Sequence, residues 1–135
     1  MSELTLEANV ENLDDVLAFV DKILEELYCS PKAQMQIDVS VEELFVNIAN
    51  YAYAPGTGSA TIRVAKQNDP SGVAITFIDS GVPYNPLAKK DPDITLSAEE
   101  RQIGGLGIYM AKKSMDSIEY EYTDGQNILT IKKAI

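Results

Sequence analysis

Apolar and polar residues recur along the chain with two different periods, and each change of period marks a new element. Residues 2–10 alternate between apolar and polar, which predicts a strand with one buried face. Residues 13–27 carry apolar side chains every three or four positions, which predicts a helix. Ser30 then supplies an N-cap for a second helix, which we expect to run from Pro31 to Tyr53 with one apolar stripe.

The second half of the chain returns mostly to the strand period. Residues 61–66 and 73–78 form a predicted hairpin, and residues 84–102 form a long segment without apolar periodicity. A helix is expected after the glycines at 104–107, followed by a final hairpin over residues 117–132. The resulting order βααββαββ predicts an α+β two-layer sandwich, with helices packed on one face of a largely antiparallel sheet.

Length and charge narrow the possible functions. The chain has 135 residues, of which 45% are hydrophobic, and this predicts a single domain, residues 1–135, with a core of its own. Its formal net charge is −10. Binding to nucleic acid or to an anionic membrane requires a basic surface, so we expect neither as a partner. The acidity is compatible with a basic protein partner and also with a role in solubility alone.

The sequence favours a cytoplasmic location. No apolar stretch approaches the roughly 18 residues of a membrane span, and the N-terminus shows no signal-peptide pattern. The single cysteine, Cys29, cannot form a disulfide within the chain, which suits a reducing compartment.

The absence of histidine from the sequence limits the chemistry that the chain can perform. It excludes Ser-His-Asp and Cys-His catalysis, and it excludes a phospho-accepting histidine within this chain. Acid–base chemistry must therefore fall to carboxylates, lysine or tyrosine.

Two of the three candidate motifs involve a carboxylate. Glu43 and Asn47 lie one turn apart on the second helix, and at 100° per residue they share with Asn50 an arc almost opposite the apolar stripe. A solvated helix face has the same pattern. Asp79-x-Gly81 follows a strand directly, where an aspartate is equally expected as a plain turn former.

The third motif is the glycine run Gly104-Gly105-Leu106-Gly107, with an apolar helical pattern directly behind it. Glycines let the backbone approach a ligand closely, and a helix that begins there points unpaired N–H groups and its positive dipole end forward. Such an arrangement can bind phosphate. Taken alone, the same glycines also fit an ordinary turn.

In this order, the three motifs resemble those of the GHKL, or Bergerat-fold, ATPase superfamily. Val39–Tyr53 is similar to the N-box of the bacterial anti-sigma-factor serine/threonine kinases, and Ile103–Met115 is similar to their G2 box and the helix behind it. The resemblance covers nearly the whole chain. It implies the histidine-kinase-like ATPase fold, with a mixed, largely antiparallel sheet.

The resemblance implies a role for each matching residue. Asn47 would bind the Mg²⁺ that bridges the phosphates of ATP, and Glu43 would be the catalytic base that takes the proton of a substrate hydroxyl. Asp79 would accept a hydrogen bond from the adenine amino group, and Gly81 would let the loop pass under the base. The remaining residues implied to bind nucleotide are Asn50, Arg101, Gly104, Gly105, Leu106, Gly107 and Ile108.

The sequence departs from the kinase pattern at two positions. Tyr51 stands where the kinases often have a histidine. Asn127-Ile128 occupies the region near the base pocket where the family frequently has a threonine, so the resemblance assigns no contact there. Neither change removes nucleotide binding, and both leave room for a relative that binds ATP but transfers phosphate slowly or not at all.

Four hypotheses follow. The resemblance implies first a serine/threonine protein kinase that uses ATP and Mg²⁺, phosphorylates an anti-anti-sigma (STAS) partner, and regulates a sigma factor or similar regulator; it also suggests a homodimer. The alternative is a nucleotide-dependent partner-switching module without significant kinase activity. A detached sensor-kinase catalytic domain is disfavoured, because the chain has neither a phospho-acceptor histidine nor a dimerisation hairpin. The fourth is an unrelated acidic α+β domain in which the three motifs are accidental.

Overall fold

The computed structural model of the protein describes residues 1–68, 71–88 and 105–135. Their helices and strands, in chain order, are β1 (Ser2–Glu7), α1 (Leu13–Glu26), α2 (Pro31–Asn47), β2 (Ser59–Asn68), β3 (Ser71–Asp79), α3 (Gly105–Ser114), β4 (Ser117–Thr123) and β5 (Gln126–Ala134). The order matches the predicted βααββαββ. No helix within these ranges is both long and apolar enough to cross a membrane.

The strands form one sheet in the order β1-β2-β3-β5-β4. Each neighbouring pair is antiparallel, so the sheet of the described residues has no parallel component. The predicted α+β class is confirmed, with a sheet more uniformly antiparallel than the resemblance implied. β3 lies at the centre and pairs with β2 and β5, which brings the ends of three strands side by side at Ala60, Asp79 and Asn127.

One face of the sheet packs against the helices and forms the core. Along β3 the buried residues alternate with partly exposed ones, as expected for a strand with one covered face. α2 contacts both α1 and α3, so it is the central element of the helical layer. The core residues that the helices contribute include Val16, Val20, Leu24, Ile37, Val41, Leu44, Phe45, Ile108 and Ala111.

The second helix is correctly predicted at its start and differs from the prediction at its end. Ser30 caps it, because its Oγ accepts a hydrogen bond from the Ala33 N–H at 3.2 Å, and Pro31 occupies the first turn. The α-helix ends at Asn47, and residues Ile48–Ala52 continue it as a wider π-helical turn. π-helical turns change the angle between successive side chains, and they frequently occur at functional sites. This end of α2 is therefore a candidate position for a functional site.

Candidate functional site

A pocket lies between the C-terminal end of α2 and the adjoining ends of β3 and β5. Most of its wall is apolar or aromatic, with a few amide and carboxylate groups. It brings together Asn47 and Asp79, two residues that the sequence motifs had singled out separately. The lining residues are Leu44, Asn47, Ile48, Tyr51, Ala52, Phe77, Asp79, Val82, Tyr84, Pro86, Tyr120, Asn127 and Leu129.

Asp79 is a buried carboxylate at the end of the central strand. It is the last member of the inward-facing row that also contains Ile75 and Phe77, and only 6% of it is exposed. A buried charge requires hydrogen-bonding partners. Asp79 Oδ1 accepts two hydrogen bonds, from the Gly81 N–H at 2.9 Å and from Asn127 Nδ2 at 3.0 Å. Among the described residues, none donates to Oδ2, so this oxygen is the acceptor that Asp79 can offer to a ligand.

Asn127 lines the pocket, although the sequence reasoning assigned no contact to this position. It is 6% exposed and directly opposite Asp79 in the register of β3 and β5. One signal in the sequence could have found it: Asn127 begins the inward row of β5 that continues with Leu129 and Ile131, where a polar side chain is unexpected. The same signal applies to Asp79.

The turn after Asp79 is fastened to the end of the α2 segment. The Val82 N–H donates to the Ala52 carbonyl at 2.9 Å. The Tyr53 hydroxyl accepts from the Ser80 N–H at 2.8 Å and donates to the Ser59 carbonyl at 2.6 Å. These bonds join the π-helical turn, the start of β2 and the turn that holds Asp79 into one wall of the pocket.

Gly81 is required at this turn because the backbone passes very close to Ala52. A Cβ atom at Gly81 would lie 2.2 Å from the Ala52 carbonyl oxygen and 2.6 Å from the Ala52 carbonyl carbon. Since backbone atoms cannot move aside as a flexible side chain would, only glycine fits. The resemblance gave Gly81 a contact with the base, and the structure adds this close approach to the chain's own backbone.

Glu43 lies one turn before Asn47 on α2 and is half-buried. Desolvation raises the pKa of its carboxyl above the ordinary glutamate value, and the neighbouring charge of Glu42 raises it further. Within the described part of the chain it forms no hydrogen bond or ion pair. A carboxylate with a raised pKa is a stronger base, which is the property that proton abstraction requires.

Asn50 is not brought to the pocket with Asn47. The prediction placed Glu43, Asn47 and Asn50 on one arc by assuming 100° per residue throughout. That assumption holds up to Asn47 and fails beyond it, because Asn50 lies in the π-helical turn. Asn50 is exposed and lies outside the pocket lining, whereas its neighbour Tyr51 lines the pocket.

The glycine run is only partly within the described residues, since Arg101 and Gly104 lie outside them. The helix begins at Gly105, so the backbone N–H groups of its first four residues, Gly105 to Ile108, have no partner in the helix. The Ile108 side chain is buried in the core. Any phosphate contact from Ile108 must therefore come from its backbone.

With this geometry established, comparison with known proteins identifies the family. Residues 6–133 match the family described as the histidine kinase-like ATPase domain. The chain belongs to this family. The resemblance found in the sequence is thereby confirmed.

Similar proteins within and around this family include named kinases. The chain is 25% identical over 128 residues to the serine/threonine-protein kinase BtrW of Bordetella bronchiseptica, covering 95% of this chain and 89% of BtrW. It is 29% identical over 98 residues to the serine-protein kinase RsbW of Bacillus mycoides, covering 70% of this chain and 60% of RsbW. A chain in the crystal structure of the SiaB–SiaC complex from Pseudomonas aeruginosa has a TM-score of 0.60 at 16% identity, over 98% of this chain and 89% of that one, which shows a shared fold.

The pocket of this histidine kinase-like ATPase domain fits adenine by its apolar wall and by its hydrogen-bond acceptor. An apolar cleft with one uncommitted carboxylate oxygen matches a flat purine that carries a single amino donor. For a metal, the described residues contain no group of three acidic, histidine or cysteine side chains that could hold an ion. Asn47 would offer one amide oxygen, which is the kind of ligand that Mg²⁺ prefers.

Proposed function

We propose that this chain is a cytoplasmic, ATP-dependent serine/threonine protein kinase that phosphorylates an anti-anti-sigma (STAS) partner. Through that partner it regulates a sigma factor or a similar regulator. The observation that carries the proposal is the pocket that Asn47 and Asp79 both line. Asp79 is a buried carboxylate with hydrogen bonds to only one of its oxygens, and Asn47 lies one helical turn after Glu43. The kinases BtrW and RsbW among the similar proteins support it.

Recognition of the base rests on Asp79. Its Oδ1 is occupied by Gly81 and Asn127, and its Oδ2 accepts a hydrogen bond from the adenine amino group. Apolar residues of the lining, such as Phe77 and Leu129, exclude water from the faces of the ring. Because an ionised carboxylate only accepts hydrogen bonds, it favours a base that has a donor at this position.

The phosphates and the metal lie toward α2 and α3 in this proposal. Asn47 would contribute an oxygen ligand to Mg²⁺, and the N–H groups at the start of α3, which have no partner within the helix, would donate to phosphate oxygens. Bound Mg²⁺ supplies charge neutralisation on the phosphates. Arg101 and Gly104, which lie outside the described residues, keep their proposed phosphate contacts from the sequence motif.

Glu43 performs the proton transfer. Its carboxylate takes the proton of the substrate hydroxyl as the hydroxyl oxygen attacks the terminal phosphorus of ATP. The bond to the ADP oxygen breaks, so the products are phosphoserine or phosphothreonine, ADP, and a protonated Glu43. Such general-base assistance contributes roughly 10²- to 10⁴-fold to a rate.

The test is a phosphoryl-transfer assay with Mg-ATP and STAS-domain proteins encoded near the gene. We expect the wild type to phosphorylate one of them and Glu43→Gln to lower the turnover rate by about 10²-fold or more at pH 8. ADP affinity should stay within about twofold, because Glu43 is outside the pocket lining. Glu42→Gln is the matched control, since Glu42 is exposed and adjacent, and it should retain wild-type turnover at this pH. Equal transfer by Glu43→Gln and wild type would remove the catalytic role.

The second candidate is a nucleotide-dependent partner-switching module without significant transfer. Two observations favour it: Tyr51, rather than a histidine, lines the pocket, and Glu43 has no hydrogen-bonding partner within the described residues to orient it. In that case the wild type binds ADP or ATP, and its affinity for a partner changes with the nucleotide, while no phosphoprotein forms. The same assay, run with partner binding as a second readout, separates the two candidates. Homodimer formation remains a prediction for either one.

A further inference from the structure

Asn127 uses its complete hydrogen-bonding capacity inside the protein. Its Nδ2 donates both hydrogens, one to Asp79 Oδ1 at 3.0 Å and one to the Val82 carbonyl at 2.9 Å. Its Oδ1 accepts from the Tyr84 N–H at 3.1 Å and from the Tyr120 hydroxyl. An asparagine side chain has two donors and two acceptor lone pairs, so none is left over. The amide orientation is therefore fixed by its surroundings.

This saturation has a direct consequence for ligand binding. Although Asn127 lines the pocket, it has no donor or acceptor to offer to a bound molecule. Any influence on a ligand must pass through the groups that Asn127 holds. The group most affected is the buried carboxylate of Asp79.

Asn127 also determines which oxygen of Asp79 remains available. The Gly81 N–H and Asn127 Nδ2 both donate to Oδ1, and this unequal loading leaves Oδ2 as the acceptor. With the Gly81 bond alone, the carboxylate could rotate and present a different oxygen or angle to the pocket. Two donors from different strands and turns hold it in one orientation.

We propose that Asn127 is a positioning residue that makes the pocket selective for 6-amino purines over 6-oxo purines. It does so by holding Asp79 with Oδ2 free to accept from the base. A 6-oxo purine presents an oxygen where the amino group would be, and that oxygen faces an acceptor-only carboxylate without a proton between them. The inference rests on the proposed nucleotide site and identifies Asn127 as a residue that determines its base specificity.

The test compares ADP with IDP, which differ in the amino or oxo group at position 6 and in the hydrogen that N1 of the 6-oxo base carries. Both are titrated calorimetrically with Mg²⁺ into the full chain, as wild type, Asn127→Leu and Tyr120→Phe. We expect the wild type to prefer ADP and Asn127→Leu to reduce the ADP-to-IDP affinity ratio roughly tenfold. Tyr120→Phe, which removes one of the four bonds of Asn127, should reduce the ratio by a smaller factor in the same direction.

Thr130→Val is the matched control. It lies three residues further along β5 and loses the 3.1 Å hydrogen bond to Thr76, so it destabilises the same strand outside the pocket. Its affinity ratio should equal that of the wild type. A purely structural role for Asn127 would lower the affinities for ADP and IDP equally.

An unchanged ratio in both Asn127→Leu and Tyr120→Phe would overturn the inference. If Asn127→Leu fails to fold, Tyr120→Phe decides alone, and an unchanged ratio again overturns it. A wild type that binds ADP and IDP equally well would overturn the inference while leaving the nucleotide site in place. A wild type that binds neither would instead remove the proposed nucleotide site itself.

Discussion

Two half-buried carboxyl groups on α2 have raised pKa values for partly different reasons. The pKa of Glu43 is raised by desolvation and then by the charge of Glu42. The pKa of Asp38 is raised to about 7, first by desolvation, then by a hydrogen bond with Asp21 of α1, and then by the charges of Asp21 and Glu25. Glu43 adjoins the pocket, whereas Asp38 faces α1. The first shift bears on chemistry and the second on stability.

The shift at Glu43 predicts the pH dependence of the proposed transfer. A base must be ionised to act, so the turnover rate should rise with pH as Glu43 deprotonates, with a midpoint above the ordinary glutamate pKa. Glu42→Gln removes one cause of the shift and should move the midpoint to lower pH. A pH profile of single-turnover transfer measures both. A midpoint that does not respond to Glu42→Gln would contradict this assignment.

The shift at Asp38 predicts that stability falls as pH rises from about 4 to about 7. In this window Asp38 is protonated in the folded state and ionised in the unfolded state, so the folded state binds more protons. Asp38→Asn keeps the side chain neutral and should stabilise the fold at pH 8 by roughly 1–2 kcal/mol, after allowance for solvent screening. Urea denaturation at several pH values measures this change.

The Asp38 experiment contains its own control. At pH 4 the wild type is already protonated at Asp38, so Asp38→Asn should have nearly wild-type stability there. No other group in the described residues donates to the buried Oδ1 atoms of Asp21 and Asp38, which adds to the cost of ionising Asp38. Equal effects of Asp38→Asn at pH 4 and pH 8 would show that Asp38 does not titrate as stated.

At the scale of elements, the pocket depends on how the end of α2 meets the turn after β3. The α-helix ends at Asn47, which is its last pocket residue. The π-helical turn that follows ends at Ala52, whose carbonyl contacts the turn of Gly81 and Val82. A change of helical pitch is thus coupled to a close backbone approach. Both features lie at the junction where Asp79 and Asn47 line one cavity.

Gly81→Ala tests this junction. The added Cβ would overlap the Ala52 carbonyl, so the turn has to move, and we expect a loss of about 1–3 kcal/mol in the free energy of unfolding. ADP affinity should fall with it, because the displaced turn holds Asp79 Oδ1 through the Gly81 N–H. Ser80→Ala is the control: Ser80 is exposed, and it bonds to Tyr53 through its backbone only. Gly81→Ala with the stability and affinity of Ser80→Ala would contradict the described packing.

The sequence periods predict the elements well and their junctions poorly. The period of α2 and the N-cap Ser30 follow from local preferences, and the alternation of β3 extends to Asp79. The π-helical turn does not follow, because an apolar stripe has the same appearance whether the last turn is tight or wide. The pairing of Asn127 with Asp79 does not follow either. The two residues are 48 positions apart in the sequence, and their pairing depends on the register of β3 and β5.

At the scale of the whole molecule, distant segments meet at one end of a single antiparallel sheet. The pocket draws on α2, the π-helical turn, the turn after β3, and strands β3, β4 and β5. The order of the three motifs along the sequence was sufficient to predict the fold and the family. The resemblance implies the class of partner, a STAS protein, but the individual partner could not be predicted, because a net charge of −10 indicates only the sign of a complementary surface.

The most direct test of the nucleotide site is a calorimetric titration of ADP with Mg²⁺ into wild type and Asp79→Asn. In the wild type, the Gly81 N–H and Asn127 Nδ2 both donate to Asp79 Oδ1. In Asp79→Asn these donors would hold the amide oxygen at the position of Oδ1, so the NH₂ group would point toward the adenine amino group. A donor would then face a donor, so we predict saturable binding by the wild type and at least about tenfold weaker binding by Asp79→Asn. Asp124→Asn, at the exposed tip of the β4–β5 hairpin, should bind as the wild type does. Absence of wild-type binding at millimolar ADP, or equal affinity in Asp79→Asn and Asp124→Asn, would contradict the account.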